Sequence, residues 1–299
     1  MPAAILGNTG DAPHRRGVIA SGTERRLTVN DWKIFGDVGV AIGDELVATA
    51  EIRRPPHNYF DLSLIEDLAS TFEALDAEPR CRAIVLCSAG KNFCAGAQLG
   101  GPRPSLQQAA IVGEASSPGG PPRHLYDEAV RLFRTKTPVV AAIQGAAIGG
   151  GLGLALMADF RIAAHEARFA ANFARLGFHH GFGLSVTLPD LVGRQRAMEL
   201  LYTGKRIRAE DALDIGLCDR LAPLDDLRQQ ATAFAHEIAI SAPLAVRSIR
   251  ETLRGDLAER IRAATDREKA EQERLQTTRD FREGVRAMAE RRTPEFSGT

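Results

Sequence analysis

The sequence predicts an α/β layered core followed by a helical C-terminal region. Three observations predict it. Short apolar β-type runs, "RAIVLC" at 82–87 and "VVAAI" at 139–143, are bounded by turn residues. They alternate with amphipathic helical stretches, a pattern that implies parallel strands joined by right-handed crossovers. After Pro223 every remaining stretch has helical character. The expected division is a loose extension over 1–33, a layered core over 34–225 and a helical region over 226–299.

Residues 1–33 are polar, with scattered Gly, Pro and Arg and no period, as a loose extension should be. "VGVAIGDELVATAEI" gives two β-type runs around Gly43-Asp44, the signal of a hairpin. Residues 61–76 read as a helix because Leu62, Ile65, Leu68, Phe72 and Leu75 share one face. Ser63 and Glu66 have capping-box spacing there. The strand at 139–143 leads into "QGAAIGGGLGLALMAD", read as a glycine turn and a buried helix. "PLDDLRQQATAFAHEIAI" is one C-terminal helix, and "APLAVRSIRETLRG" a second with Pro243 suited to its first turn. The charged stretch from Asp256 to Arg292 holds one or two more and suits a subunit contact.

Composition excludes several function classes. Lys+Arg and Asp+Glu are both 38, so no basic excess is available to attract nucleic acid. The four cysteines, Cys81, Cys87, Cys94 and Cys218, form no CxxC pair; they suit reduced, buried thiols, and no Cys/His group has zinc-ligand spacing. Residues 138–158 carry no charge and are long enough to span a membrane, but five glycines and a glutamine divide them into strand, turn and helix. The N-terminal apolar run is too short for a signal peptide. These readings point to a cytoplasmic protein with no metal, nucleic-acid or membrane partner.

Two glycine-bearing stretches suggest chemistry. In "GKNFCAGAQL" (90–99), small residues after a strand let another molecule approach the main chain, although the stretch alone reads as an ordinary tight loop. In "IGGGLGLALMADF" three glycines precede a helix, whose first N–H groups lack internal partners and carry the positive end of its dipole. That makes a donor pocket for an oxygen bearing negative charge. Close strand–helix packing is the plain alternative. A phosphate loop is disfavoured, because no Lys-Ser/Thr follows the glycines. One N–H from each stretch can converge on a single oxyanion.

From about Val38 to Phe296 the chain resembles the crotonase (enoyl-CoA hydratase/isomerase) superfamily. The stretches that carry the resemblance are "RRPPHN" (53–58), "RAIVLCSAGKNFCAGAQL" (82–99), "KTPVVAAIQGAAIGGGLGLALMADFRIAA" (136–164), "LLYTGKRIRAEDALDIGLCDRL" (200–221) and "DFREGVRAMAERRTPEF" (280–296). The resemblance implies a crotonase-like spiral of ββα units with a C-terminal α-helical trimerisation region, assembled as a homotrimer or a dimer of trimers. It implies an acyl-CoA thioester as substrate, no prosthetic group, and a place in fatty acid metabolism. By position, the oxyanion donors fall on the Ala97 and Gly150 N–H groups, and the loop of Ala95, Gln98 and Leu99 lies along the CoA. Gln98 stands where the family usually has an aspartate.

The same resemblance exposes a gap. Hydratases of the family carry glutamates at two positions that are Gly153 and Phe173 here, and neither residue moves a proton. In "LGFHHGFGL" (176–184), His179 and His180 are the titratable pair; they either serve as acid/base groups or simply hydrogen-bond the loop. Glu114, Tyr126, Glu128, His57, Cys94, His165 and Glu166 are weaker candidates, each read first as surface, loop or core. Arg53, Arg54, Lys91, Arg282 and Arg291 are the cations available to CoA phosphates. The expected activity is of the enoyl-CoA hydratase/isomerase type, acting through a thioester enolate. The alternatives are an acyl-CoA binder without turnover, and a C–C hydrolase or decarboxylase using the same oxyanion hole.

Overall fold

The computed structural model describes residues 33–98, 112–115 and 122–299. Of the expected extension only Lys33 is among them, and Leu99 and the Glu114 side chain lie outside them. The chain begins with β1 (Lys33–Phe35), β2 (Val38–Ile42), β3 (Val47–Ile52), α1 (Leu62–Ala77) and β4 (Ala83–Ser88). It continues through β5 (Val112–Ala115), β6 (Pro122–His124), α2 (Leu125–Phe133), β7 (Val139–Ile143), β8 (Ala146–Ile148) and α3 (Gly150–Leu156). Next come β9 (Phe160–Ala164), β10 (Arg168–Ala170), α4 (Leu184–Val192), α5 (Arg194–Thr203), β11 (Arg206–Arg208), α6 (Ala209–Asp214) and β12 (Arg220–Ala222). Four helices close the chain: α7 (Leu227–Ala239), α8 (Pro243–Arg254), α9 (Leu257–Gln276) and α10 (Arg279–Glu290).

The main sheet has seven strands in the order β1-β2-β3-β4-β7-β9-β12. The hairpin falls where its turn residues put it: β2 pairs antiparallel with β3, and the Gly43 N–H donates to the Val47 carbonyl at 3.1 Å. From β3 onward the pairs β3/β4, β4/β7, β7/β9 and β9/β12 are parallel. Parallel strands are buried on both faces, and every residue of β4 and β7 is buried. Ile84, Leu86, Ala141 and Ile143 face the larger core, which includes Leu68 and Phe72 of α1. Ala83, Val85, Val140 and Ala142 face Leu227, Ala231 and Ala235 of α7 on the other side.

The α1 cap differs from the capping box read at Ser63. Asp61 is the N-cap, its carboxylate accepting from the Leu64 N–H at 3.0 Å, while Ser63 Oγ accepts from Arg54 Nη2 at 2.9 Å. The helix starts two residues earlier than the box requires, so Asp61 meets the orphan donors first. The apolar run 138–158 breaks into β7, β8 and α3, and among the described residues no helix is long and apolar enough to cross a membrane. Here the sequence reading joined β7 directly to the glycine turn. The structure inserts a turn at Gln144-Gly145 and the short β8, which belongs to a second sheet ordered β11-β10-β8.

Buried charges fasten the C-terminal helices. Asp159 accepts from the Val139 N–H at 2.8 Å and pairs with Arg250 at 2.9 Å and Arg254 at 3.0 Å, both on α8. Arg161 is 2% exposed, and its guanidinium donates to the Ala158 and Leu217 carbonyls and to Asp219. Its every hydrogen bond is to a fixed acceptor, which is the condition under which a buried guanidinium is tolerated.

Candidate active site

Segment 94–97 runs between two neighbours. On one side, the Cys94 N–H donates to the Ala146 carbonyl at 2.9 Å and the Ile148 N–H donates back to the Cys94 carbonyl at 3.1 Å, so this segment pairs with β8. On the other, the Ala95 N–H donates to the His57 carbonyl at 3.0 Å and the Phe60 N–H to the Gly96 carbonyl at 3.1 Å. Asn58 knots the arrangement: its Nδ2 donates to the Ala89 and Asn92 carbonyls at 2.7 and 2.6 Å. The pairing with β8 aligns Ala97 with the start of α3. Among the described residues the Ala97 and Gly150 N–H groups have no acceptor, and both residues line one cavity of about 430 Å³.

The glycines around Gly150 meet different neighbours. A Cβ on Gly150 would lie 2.2 Å from Phe60 Cζ, and one on Gly151 2.2 Å from the Cys94 carbonyl oxygen. The first clash would push Phe60 out of the cavity wall, and the second would break the pairing of segment 94–97 with β8. A bare backbone is therefore needed for packing as well as for access to the N–H groups. Cys94 is itself fully buried, and burial pushes its thiol up to about 12, so it stays un-ionised at neutral pH.

Gly153 answers to Phe182. A Cβ at 153 would sit 2.7 Å from Phe182 Cβ and 2.9 Å from Cδ1. Phe182 adopts φ 62° and is 1% exposed, and its ring lies 5.8 Å from that of Phe60. Phe173 is also on the wall, its ring edge-on to Phe178 at 5.5 Å. Phe178 in turn meets Phe281 of α10 at 5.2 Å. Aromatic side chains thus occupy the surroundings of both positions read as lacking an acid.

The loop carrying Phe182 is clamped from α9. Glu268, fully buried, accepts from the Gly183 N–H at 2.8 Å, the Ser185 N–H at 3.0 Å and Ser185 Oγ at 2.7 Å. Burial raises its carboxyl above the usual range, against the pull of those donors. Gln272 Nε2 donates to the His179 carbonyl at 2.9 Å, and Gln272 Oε1 accepts from the Tyr126 hydroxyl at 2.9 Å. With Phe182 turned inward, the two histidines turn away. His179 and His180 stack with ring centroids 4.1 Å apart, His179 Nδ1 lies 2.7 Å from the His180 carbonyl, and His180 Nε2 lies 2.8 Å from Ser185 Oγ. Neither lines the cavity. Burial, then the neighbouring His179, pushes His180 down to about 4.

The remaining candidates sort by position. Tyr126 lines the cavity; burial pushes its hydroxyl up, so it stays protonated. Glu128 is buried and pairs with Arg131 on its own helix. His165 pairs with Glu210 in solvent. Arg54 is committed to Asp37 and Asp61, and Arg53 to Glu51. His57, Ala95, Ala97 and Gln98 line a groove that adjoins the cavity through Ala95, Ala97, Ile148 and Asn172. Lys91 and Arg291 stand in that groove with Arg168 and Arg206, and among the described residues none of the four has an ion-pair partner. Sequence reading missed Arg168 and Arg206, which lie two register positions apart on the antiparallel pair β10 and β11 and line the same groove. It also missed Glu273, an exposed residue and the one Asp or Glu lining the cavity among the described residues, and Arg282 shares that lining.

Comparison with known proteins bears on the family. A family model described as enoyl-CoA hydratase/isomerase matches residues 43–299. The chain is similar to the putative enoyl-CoA hydratase/isomerase YngF of Bacillus subtilis, 31% identical over 86% of this chain and 96% of the relative. It is also similar to the 1,2-epoxyphenylacetyl-CoA isomerase of Escherichia coli, 30% identical over 84% of this chain and 95% of that one. Among solved structures, an enoyl-CoA hydratase/isomerase from Pseudoalteromonas atlantica superposes with a TM-score of 0.76 at 28% identity, over 87% of this chain and all of that one.

Proposed function

The chain belongs to the enoyl-CoA hydratase/isomerase family, and on that premise we propose that it processes an acyl-CoA thioester, whose carbonyl is gripped by the Ala97 and Gly150 N–H groups. Proton gain or loss beside that carbonyl passes through an enolate with its charge on the thioester oxygen. Two aimed donors stabilise that oxygen more than the neutral carbonyl, which is what lowers a barrier. The CoA lies along Ala95, Gln98 and Leu99. Its phosphates meet Lys91, Arg168, Arg206 and Arg291, cations with no competing carboxylate of their own among the described residues. CoA enters as part of the substrate, and no prosthetic group is called on.

The observation that carries this reading is the pairing of segment 94–97 with β8, which brings two amides without acceptors to one cavity. Ala97→Pro removes one N–H. Loss of such a donor typically lowers the rate about 10²–10³-fold, measured as kcat/KM on crotonyl-CoA and ring-bearing enoyl-CoAs. A change of less than threefold on every substrate turned over by the parent would sink the assignment. Glu273 is the proton carrier to test first, by Glu273→Gln, because it is the carboxylate on the wall.

Phe182 and Phe173 favour a second reading, an acyl-CoA-binding protein without turnover, since they surround the positions where hydratases hold their acids. Tight binding of several enoyl-CoAs with no product from any of them selects that reading. Under either, the chain self-associates as a trimer or a dimer of trimers in the cytoplasm. Leu244 and Leu253 on α8, 80% and 81% exposed in the single chain, support burial against another copy.

A further inference from the structure

We propose that the acyl pocket selects a compact, ring-bearing apolar acyl group, and that Phe182 is the residue that sets this choice by filling the room left at Gly153. The inference rests on the reading of the cavity as an acyl-CoA site. It goes beyond that reading by naming the acyl class and the residue that enforces it.

The wall explains the ring. Phe60, Phe173, Phe178, Phe182 and Phe281 all line the cavity, together with Leu176. Their mutual contacts are tilted or edge-on, at centroid separations of 5.2–5.8 Å. Such contacts use ring edges and leave faces open, and a flat guest ring meets them in the edge-to-face or offset geometry that aromatic groups prefer. A flexible chain makes the same contacts only by freezing its own rotamers.

The deep end explains the lack of polarity. Tyr126 and Gln272 are the polar side chains clamped to the Phe182 loop, and each is hydrogen-bonded. The tyrosine hydroxyl donates to Gln272 Oε1, while Gln272 Nε2 donates to the His179 carbonyl. A hydroxyl or carboxylate on the acyl chain would be desolvated among aromatic rings, beside two polar groups already bonded to one another. The Phe182 ring takes up part of the wall beside this pair, space that a longer acyl chain would need.

Phe182 is held in place by atoms other than its own. Its backbone is left-handed at φ 62°, Gly183 follows at φ 74°, and the Gly183 N–H is bound by buried Glu268. A side chain at 153 and a phenyl ring at 182 exclude one another, because the clash involves Phe182 Cβ, which no rotamer change can move. The glycine at 153 and the phenylalanine at 182 therefore form one device.

The test is isothermal calorimetry with CoA, butyryl-CoA, benzoyl-CoA, cyclohexanecarbonyl-CoA and palmitoyl-CoA. It uses the full chain, Phe182→Gly and Phe182→Leu, each checked by a melting curve and each normalised to its own affinity for CoA. In the parent the two ring thioesters should bind at least tenfold tighter than butyryl-CoA or palmitoyl-CoA. In Phe182→Gly the ratio of palmitoyl-CoA to benzoyl-CoA affinity should rise at least tenfold. Phe182→Leu, which keeps an apolar side chain in the loop, should move the ratio the same way by a smaller factor. Thioesters that bind without regard to shape, or a ratio unchanged in both variants, overturn the inference and leave the acyl-CoA reading standing. If no thioester binds more tightly than CoA itself, that reading falls and the inference falls with it.

Discussion

Gly153→Ala isolates the contact on which the acyl pocket is built. The new Cβ would lie 2.7, 2.9 and 3.0 Å from Cβ, Cδ1 and Cγ of Phe182. Carbon atoms settle at about 3.5–4.0 Å, so the nearest pair is short by close to an ångström. Phe182 cannot retreat by rotating, since its Cβ is fixed to a backbone at φ 62° that Gly183 and Glu268 restrain. Overpacking of this kind costs about 1–3 kcal/mol. Alanine regains about 0.5–1 kcal/mol over glycine inside a helix, and position 153 is inside α3. The net expectation is a loss of about 1 kcal/mol within a span of roughly 0–2.5 kcal/mol, a fall in Tm of a few degrees for a chain of this size. Thermal denaturation followed by circular dichroism measures it. The decisive comparison is a double-mutant cycle with Phe182→Gly, in whose background the same alanine should cost nothing or stabilise. Equal effects in both backgrounds, or no effect in either, would refute the claim that Phe182 fills this space. The cycle also bears on activity. Gly153→Glu alone should not create efficient crotonyl-CoA hydration, because the ring occupies the space the carboxylate needs.

The remaining expectations concern the histidines, the buried ion pairs and assembly. His179→Ala and His180→Ala should each keep kcat/KM within about tenfold of the parent; a loss beyond a thousandfold with an altered pH profile would put proton transfer on the pair. Asp159→Ala leaves Arg250 and Arg254 without their carboxylate and should cost about 3–5 kcal/mol in urea unfolding. His124, pushed down to about 4 by burial and then by Lys269, must stay neutral so that its Nδ1 can accept the Tyr126 N–H. A base with a lowered folded pKa binds fewer protons folded than unfolded between about 4 and 6.5. Its contribution is therefore full above 6.5 and is lost as pH falls towards 4. His124→Asn, which keeps a capping group, should flatten stability against pH across that window, and a slope unchanged from the parent would contradict this. Light scattering on the purified chain should give at least three times 32.3 kDa, and Leu244→Glu with Leu253→Glu should lower it.

What could be read from the sequence was local. The hairpin at Gly43, helix α1 and strands β4 and β7 follow from turn residues and from periods of 2 and 3.6 within a few residues. The short strands β8, β10 and β11 carry three residues each, too few for any period to show, and they exist because they pair with one another. The cavity depends on longer reach still. Phe182 reads as one apolar residue between glycines, and nothing nearby says that it turns inward while His179 and His180 turn out. That choice is made by Glu268, 85 positions from its Gly183 partner, and by Gln272, 146 positions from Tyr126. A charged stretch read as a subunit contact therefore supplies, from its buried side, the two side chains that shape the pocket. In α9 the apolar stripe is thin because part of the inward face is polar and hydrogen-bonded to the Phe182 loop. Hydropathy does not distinguish such a face from a solvated one, since it weighs a carboxylate without knowing what donors will meet it. The absence of acids at 153 and 173 was visible from position alone. What took their place was not, because a glycine names the space it leaves empty only once the neighbour that fills it has been brought there by the fold.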